Sequence, residues 1–282
     1  MNNLLTKIED IPKDRKVIVF DLDGTLVNSK SEVDGEMAEL ITKLLEKKQV
    51  AVIGGGKYEL FQKNLVSKLN APGELLKSLF LFPLTSTTFY RYENDLVKRS
   101  SGPVNSSNES RTDSGGWKQV YAHEFSPEQK DMIYDAFKKV FTQLNYMDPE
   151  RIYGEIIEDR GSQITFSALG QFAPLDLKDK WKKENEDIKL KITQELQRLL
   201  PDMEVRAAGF TSIDVTAKGI DKEYGMNQIK EHLGVKFNDM LFFGDALFEH
   251  GNDHAVLQTN IPCFQVNDIE DTKKLIRHIL SN

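Results

Sequence analysis

Short apolar runs that alternate with amphipathic segments constrain the fold of this chain more than any other feature of its sequence. Residues 16–20, 50–53 and 79–82 are apolar and rich in β-branched or aromatic side chains, as expected of buried strands. Between the first two runs, apolar residues recur at helical spacing: Met37, Leu40, Ile41, Leu44 and Leu45. Strands that alternate with helices are typical of a parallel sheet with right-handed crossovers. The sequence therefore predicts an α/β fold with a doubly wound parallel sheet.

The alternation breaks off near residue 100 and returns at Lys222. Residues 100–116 are mostly Ser, Asn and Gly, which predicts a flexible loop. A helix at 127–144 and an antiparallel hairpin at 152–158 and 163–169, with one solvated face, are expected next. A charged helix ending near Leu200 and strands near Val205 and Ile213 complete the interruption. We predict a core domain of residues 1–92 and 214–282, split by an inserted α+β domain of residues 93–213.

Composition excludes several classes of protein. The formal net charge of −7 and the pI of about 5.4 argue against a general binder of nucleic acid or of membrane surfaces. The N-terminus lacks the apolar region of a signal peptide, and no apolar run is long enough to span a bilayer. The cytoplasm is the expected location. Because Cys263 is the only cysteine, neither an intramolecular disulfide nor a thiolate zinc site is expected.

Carboxylates follow the strands of the predicted core. Asp21 and Asp23 come directly after the first strand, and Asp245 follows a later strand at residues 240–243. The carboxyl ends of strands are where open α/β sheets bind ligands. Carboxylates brought together there repel one another and need a cation, and their hard oxygen atoms suit Mg²⁺. A phosphate monoester is a suitable substrate for such a site, because the metal offsets its charge.

The segment FDLDGTL at residues 20–26 resembles the first motif of the haloacid dehalogenase (HAD) superfamily of phosphotransferases. The resemblance implies that Asp21 attacks phosphorus and carries an aspartyl-phosphate. It implies that Asp23 protonates the leaving oxygen and then deprotonates the next acceptor. Asp21 and the backbone carbonyl of Asp23 would ligate Mg²⁺. Gly24 would permit the close turn at the phosphate, and Thr25 would donate to the site or cap the next segment.

The segment LFFGDALFEHGNDH at residues 241–254 resembles the fourth HAD motif. Its form is most similar to that of eukaryotic-type phosphomannomutases and their bacterial relatives, which belong to the type IIB branch. The resemblance implies that Asp245 ligates Mg²⁺ directly and that Asn252 and Asp253 complete the metal's surroundings. His250 and His254 lie in the same segment, where we expect ordinary loop histidines.

The third and second motifs are matched less completely. GIDK at residues 219–222 resembles the third motif, which implies that Lys222 neutralises the aspartyl-phosphate, with Lys218 in reserve. The second motif normally presents a Ser or Thr hydroxyl to the phosphate, but this chain has Gly54, Gly55 and Gly56 there. Consecutive glycine amides form a backbone nest that suits a phosphate oxygen. We expect phosphate contact at this loop, with weaker catalysis than in relatives that have the hydroxyl.

The insertion falls where the type IIB branch carries its α+β cap, the domain that selects the substrate. Residues 155–160 and 163–171 resemble the phosphomannomutase cap hairpin, in which arginines hold the distal phosphate of the substrate. Arg160 falls on one such position, whereas Gln171 replaces an expected arginine. Asp214 also matches a phosphomannomutase segment, where it either contacts the substrate or shapes the hinge.

Three functions remain open on the sequence. A neutral Gln171 cannot supply the bidentate charge that holds a second phosphate, which favours a phosphatase acting on a sugar phosphate or a similar small phosphomonoester. The alternative is a phosphomannomutase that interconverts mannose 6-phosphate and mannose 1-phosphate, and a third is a non-catalytic binding protein on a HAD fold. Mg²⁺ is the predicted cofactor. The resemblance to the mutases also suggests a homodimer through the cap.

Overall fold

The computed structural model describes residues 3–28, 31–94, 115–249 and 251–281. These residues form two compact units. The larger unit comprises Met1–Tyr121 and Asp221–Asn282, and the smaller unit comprises Ala122–Ile220. Of the predicted flexible loop, residues 100–114 lie outside the described residues, while Gly115 and Gly116 begin a strand.

The described residues form strands, helices and short 3₁₀ turns. The strands are β1 (Leu4–Leu5), β2 (Val17–Asp21), β3 (Gln49–Ile53), β4 (Leu79–Phe82), β5 (Thr88–Asn94), β6 (Gly115–Ala122), β7 (Ile157–Asp159), β8 (Gln163–Ser167), β9 (Met203–Ala208), β10 (Ser212–Ala217), β11 (Met240–Gly244) and β12 (Cys263–Gln265). The helices are α1 (Gly35–Leu45), α2 (Tyr58–Asn64), α3 (Gly73–Leu76), α4 (Pro83–Ser86), α5 (Pro127–Gln143), α6 (Leu175–Leu199), α7 (Lys222–Leu233) and α8 (Ile269–Leu280). Short 3₁₀ turns cover Ile8–Asp10, Val66–Lys68, Phe237–Asp239 and His254–Thr259. Within the described ranges, no helix is both long enough and apolar enough to cross a membrane.

The larger unit is built on an eight-stranded sheet in the order β1-β12-β11-β2-β3-β4-β5-β6. In this spatial order, the six strands from β1 through β12 and β11 to β4 are parallel to one another, and β5 runs antiparallel to β4. Every residue of β2 is buried because helices cover both faces of the sheet. Phe20 packs with residues of α1 and α8 on one face, and Val19 packs with Met226 of α7 on the other. The predicted doubly wound α/β core is confirmed.

The smaller unit is an antiparallel sheet in the order β7-β8-β10-β9 with two helices on one face. Phe166 and Ile213 point to the helices and pack with Phe137 of α5 and Ile192 of α6. The opposite face carries polar side chains, but it is not solvated as the alternating pattern predicted. Thr165 on this face is only 2% exposed. The prediction failed because alternation of polar and apolar residues reports the polarity of a face and not its access to water.

The domain boundaries differ from those predicted at 92/93 and 213/214. β6 lies next to β5 in the large sheet, so residues up to Tyr121 belong to the larger unit. Trp117 of β6 packs edge-on against Tyr92 of β5, with ring centroids 5.9 Å apart. At the other end, β10 continues to Ala217 within the small sheet. The composition changes near residue 100, but the chain stays in the large sheet until the end of β6. The first predicted boundary therefore lies before the end of the larger unit.

Candidate active site

Asp21 is the last residue of β2 and is 2% exposed. The chain turns sharply after it, with the Gly24 amide donating to the Val27 carbonyl at 2.7 Å. Gly24 has φ +86°, a left-handed conformation that favours glycine. A Cβ at this position would overlap the carboxylate of Asp245. The glycine therefore lets the loop after β2 lie directly against Asp245.

Asp245 and Asp253 come from the loop that follows β11. The loop folds back on itself, because the Ala246 amide donates to Asp253 Oδ2 at 3.0 Å and the Asp253 amide donates to the Ala246 carbonyl at 3.1 Å. Asp253 is fully buried, and Gly244 leaves room for its carboxylate. β11 is the neighbour of β2 in the sheet, with Phe243 opposite Phe20. This pairing brings the loop to Asp21.

Lys222 is the first residue of α7, a helix capped by Asp221, whose carboxylate accepts from the Tyr224 amide at 3.0 Å. The Lys222 ammonium forms buried ion pairs with both Asp21 and Asp253. The structure thus brings Lys222 to Asp21. Lys218, the reserve residue, is exposed and donates instead to the Pro201 carbonyl at 3.3 Å.

The charges of this cluster do not balance. Among the described residues, the three carboxylates of Asp21, Asp245 and Asp253 lie together, and one ammonium, that of Lys222, pairs with two of them. Burial raises the pKa of Asp21 well above its ordinary value, and the neighbouring carboxylates raise it further, although Lys222 opposes both effects. Burial and Asp253 likewise raise the pKa of Asp245. Burial would lower the pKa of Lys222, but Asp21 and Asp253 raise it above its ordinary value, so the amine stays charged.

The cluster has the composition of a hard-cation site. One ligand oxygen from each of Asp21, Asp245 and Asp253 lies within 4.8 Å of the others. Asp21 Oδ2 is buried and has no hydrogen-bond partner among the described residues. An unpartnered buried carboxylate oxygen is costly unless a cation or a donor binds it. These residues therefore fit a divalent metal such as Mg²⁺.

The other residues predicted around the cluster lie at its edge. Asp23 and Asn252 are exposed, whereas Thr25 is fully buried and its hydroxyl has no partner among the described residues. His254 starts a 3₁₀ turn and is half-buried. His250 lies outside the described residues.

The glycine loop follows β3, on the other side of β2 from β11. Gly54 is packed tightly, since an added Cβ would lie 3.3 Å from both Leu22 Cβ and Phe61 Cζ. Gly55 faces open space, so no steric demand explains the absence of a side chain there. The segment Leu84–Ser86 after β4 is hydrogen-bonded to this loop and was not recognised in the sequence. Its Leu-Thr-Ser composition gives no signal for the left-handed backbone that it adopts.

The predicted cap residues lie on the polar face of the smaller unit. Arg160 donates through Nε to Glu158 Oε2 at 2.8 Å. With its side-chain amide oriented to satisfy its neighbours, Gln171 also donates to Glu158, at 2.6 and 3.0 Å. Asp214 accepts from the Thr165 hydroxyl at 2.8 Å, and burial raises its pKa. Glu158 is thus the residue that sequence reasoning missed: its carboxylate already compensates the charge of Arg160.

Known proteins similar to this chain support one family. The family model described as eukaryotic phosphomannomutase matches residues 125–282. A phosphomannomutase of Triticum aestivum is 24% identical over 253 residues, covering 88% of each chain.

Solved structures share the fold. A haloacid dehalogenase-like hydrolase of Bacteroides thetaiotaomicron has a TM-score of 0.57 at 16% identity, covering 93% of this chain and 92% of that one. An IMP-nucleotidase of Plasmodium falciparum has a TM-score of 0.63 at 15% identity, covering 97% of this chain and 70% of that one. The family match covers more than half of the chain and includes the predicted third and fourth motifs. The chain belongs to the eukaryotic phosphomannomutase family of the HAD superfamily, and it is an enzyme of phosphoryl transfer.

Proposed function

We propose that this protein transfers the phosphoryl group of a sugar phosphate through a covalent intermediate on Asp21, with Mg²⁺ as cofactor. One observation carries the proposal. Asp21 is a buried carboxylate with one oxygen paired to Lys222 and the other unpartnered, within a cluster of excess negative charge. Such a carboxylate is oriented by the lysine and keeps one oxygen for a metal or an electrophile.

The proposed chemistry uses three side chains. Asp21 attacks phosphorus, a P–O bond to its carboxylate forms, and the bond from phosphorus to the sugar oxygen breaks. Asp23, which is exposed beside Asp21, gives its proton to the departing oxygen and later removes one from the acceptor. Lys222 stays charged throughout and offsets the negative charge on the phosphoryl group.

The proposed metal ligands are Asp21, Asp245 and the backbone carbonyl of Asp23. Asp253 already accepts hydrogen bonds from Lys222 and from the Ala246 amide, so we assign it, with Asn252, to the surroundings of the metal. Bound Mg²⁺ would supply Lewis-acid stabilisation of the transferring group.

The larger unit is proposed to be the catalytic core and the smaller unit the substrate-selecting cap. In the core, Gly24, Thr25 and the loop at residues 54–56 are assigned to the phosphate. In the cap, Arg160, Gln171 and Asp214 are assigned to the rest of the substrate. A homodimer through the cap stays a prediction.

The identity of the acceptor separates two candidate reactions. The family match and the curated relatives favour the phosphomannomutase reaction, in which the phosphoryl group returns to a sugar hydroxyl. A specific observation favours hydrolysis as the second candidate: Glu158 compensates Arg160 and Gln171 is neutral, so these two predicted positions offer little net charge for a second phosphate. The third interpretation, a non-catalytic binding protein, is disfavoured because the family consists of enzymes.

One assay distinguishes the two reactions. The protein with Mg²⁺ is given mannose 1-phosphate, mannose 6-phosphate and glucose 6-phosphate, with and without a hexose bisphosphate primer, and both isomer interconversion and phosphate release are followed. Interconversion that depends on the primer supports the mutase, and release without interconversion supports the phosphatase. If the protein shows neither interconversion nor phosphate release with any of these substrates, the proposed function is refuted.

A further inference from the structure

Phe172 is an exposed aromatic residue that directly follows Gln171, one of the residues assigned to the substrate. It lies in the connection between β8 and α6, and it is 74% exposed. A single exposed apolar side chain is common on protein surfaces and indicates nothing by itself. What Phe172 does therefore depends on how the fold holds it and on what lies beside it.

The peptide between Gln171 and Phe172 is hydrogen-bonded on both sides. The Phe172 amide donates to the Tyr153 carbonyl at 2.9 Å, and the Gln171 carbonyl accepts from the buried ammonium of Lys178 at 2.8 Å. Gly170, just before this peptide, has φ +80°, and a Cβ there would overlap the backbone of Tyr153. The backbone that carries Phe172 is therefore fixed against the segment before β7.

A second glycine makes room for the ring itself. A Cβ at Gly154 would lie 2.6 Å from Cδ2 of Phe172 and 3.3 Å from Cγ of Gln171. One edge of the ring and the side chain of Gln171 thus rest on the same backbone position. Because the ring is held at this edge and is otherwise exposed, it loses little conformational freedom when a ligand packs on it.

The polar group beside the ring is suited to hydroxyls. The Gln171 amide, oriented to satisfy its neighbours, donates to the Glu158 carboxylate, which also accepts from Arg160. These side chains offer both donors and acceptors with little net charge. A sugar ring has C–H groups on its faces and hydroxyls along its edge, so it matches an apolar surface that adjoins such a polar group.

We propose that Phe172 is a specificity-determining residue that packs against the face of the substrate's sugar ring, beside the hydroxyl that Gln171 binds. The inference rests on the proposed function, and it deepens it by naming the substrate class. With Phe172 in this role, the cap selects a phosphomonoester that carries a sugar ring over one that carries none.

Affinities for ligands with and without a ring test the proposal. Mannose 1-phosphate, mannose 6-phosphate, glucose 6-phosphate and inorganic phosphate are each titrated with Mg²⁺ in the Asp21→Asn background, so that no ligand is consumed. We expect Phe172→Ala to bind the tightest of the three sugar phosphates about tenfold more weakly, with the affinity for inorganic phosphate unchanged within about twofold. Phe172→Tyr keeps the ring and should bind both ligands like the parent protein. Met147→Ala, at an apolar residue that is 83% exposed, is the control and should change neither affinity.

Several results would overturn the proposal. A merely structural role of Phe172 would lower both affinities together with the melting temperature. A change of oligomeric state by light scattering, with sugar-phosphate affinity retained in Phe172→Ala, would make the ring a contact between protein chains instead. If Phe172→Ala does not fold, Phe172→Leu keeps an apolar side chain on Gly154 without the flat ring. We expect this variant to bind the sugar phosphate about threefold more weakly, and an affinity equal to that of the parent would contradict the proposal.

The same measurements separate this inference from the proposed function. If the wild-type protein turns over no sugar phosphate but sugar-phosphate binding still depends on Phe172, the proposed function fails and this inference stands. If turnover is found and sugar-phosphate affinity is independent of Phe172, the inference fails and the proposed function stands. If none of the three sugar phosphates binds, both are overturned.

Discussion

Lys222 and Asp21 are 201 residues apart in the chain, yet they form an ion pair in which both side chains are almost completely buried. The pairing of β2 with β11 and the placement of α7 after the small sheet bring them together. Because Asp253 shares the same ammonium and Asp245 adds a further carboxylate, the cluster keeps excess negative charge. Buried ion pairs seldom stabilise a fold in proportion to their number, so this cluster is better explained by chemistry than by stability.

Removing the lysine should damage both activity and stability. Lys222→Met leaves Asp21 and Asp253 buried without their counter-charge. We expect a loss of about 3 kcal/mol in the free energy of unfolding without Mg²⁺, and a loss of at least about 100-fold in kcat/KM. Urea denaturation with and without Mg²⁺ measures the first, and added metal should restore part of the loss by binding the folded state. Lys218→Met, at an exposed residue, is the control, and equal stability of the two variants would contradict the account.

A hydroxyl added to the glycine loop should speed the reaction. Gly56 does not have a left-handed backbone, and the nearest atoms to an added Cβ all belong to the exposed side chain of Leu60, with Cδ1 at 3.1 Å. A hydrogen bond to a charged group contributes about 1.5–3 kcal/mol, so we expect Gly56→Ser to raise kcat/KM about tenfold. Gly56→Ala adds the same Cβ without the hydroxyl. If the two variants have the same kcat/KM, a hydroxyl on this loop has no role.

Charge on the cap should change the fate of the phosphoryl group. Gln171→Arg adds a guanidinium beside Glu158 and Arg160, so that two guanidinium groups share one carboxylate there. We expect the variant to bind a hexose bisphosphate about tenfold more tightly and to raise the ratio of interconversion to phosphate release. Gln171→Met, which removes the amide without adding charge, controls for the loss of the contact to Glu158. An unchanged ratio in Gln171→Arg would show that this face does not read a second phosphate.

An ion-pair cluster away from the site should govern acid stability. Lys273 on α8 pairs with Asp34 and Glu36 at the start of α1, at 2.7 and 3.2 Å, and only 4% of its side chain is exposed. Hydrogen bonds from Lys273 hold the pKa of both carboxyls below their ordinary values of 3.8 and 4.5. A depressed carboxyl pKa stabilises the fold above the ordinary value, and this contribution disappears as pH falls through the folded-state pKa.

Lys273→Met should therefore be less stable than the wild-type protein near pH 7, and the difference should shrink below about pH 4.5. Urea midpoints at both ends of this range measure it. The control is Lys274→Met, whose exposed ammonium pairs with Asp271 at 3.0 Å. A difference that is the same at both pH values would exclude the linkage.

The sequence predicted the core well because strongly periodic segments carry their own signal. The apolar runs of β2, β3, β4 and β11 were recognised, and so were the carboxylates that follow β2 and β11. By contrast, every residue of β6 is half-buried or exposed, so its pairing with β5 depends on tertiary contacts such as Tyr92 against Trp117.

The details of the site depended on three-dimensional neighbours. Asp253 is predicted in the surroundings of the metal, and its ion pair with Lys222 has no counterpart in the linear sequence pattern. The charge compensation of Arg160 by Glu158 and the left-handed turn at Leu84–Ser86 have no periodic signal, because each is defined by partners that a linear pattern does not show.

The covalent intermediate on Asp21 is the central claim, and acid quenching of the reaction followed by peptide mass spectrometry tests it most directly. With Mg²⁺ and the sugar phosphate that turns over fastest, we expect one phosphoryl group on the peptide that contains Asp21, and none in Asp21→Asn, which should also lose all activity. Asp239→Asn, at a carboxylate that pairs with Lys16 on the surface, should be phosphorylated at Asp21 like the wild-type protein. Full turnover by Asp21→Asn, or a phosphoryl group found on another residue, would contradict the account.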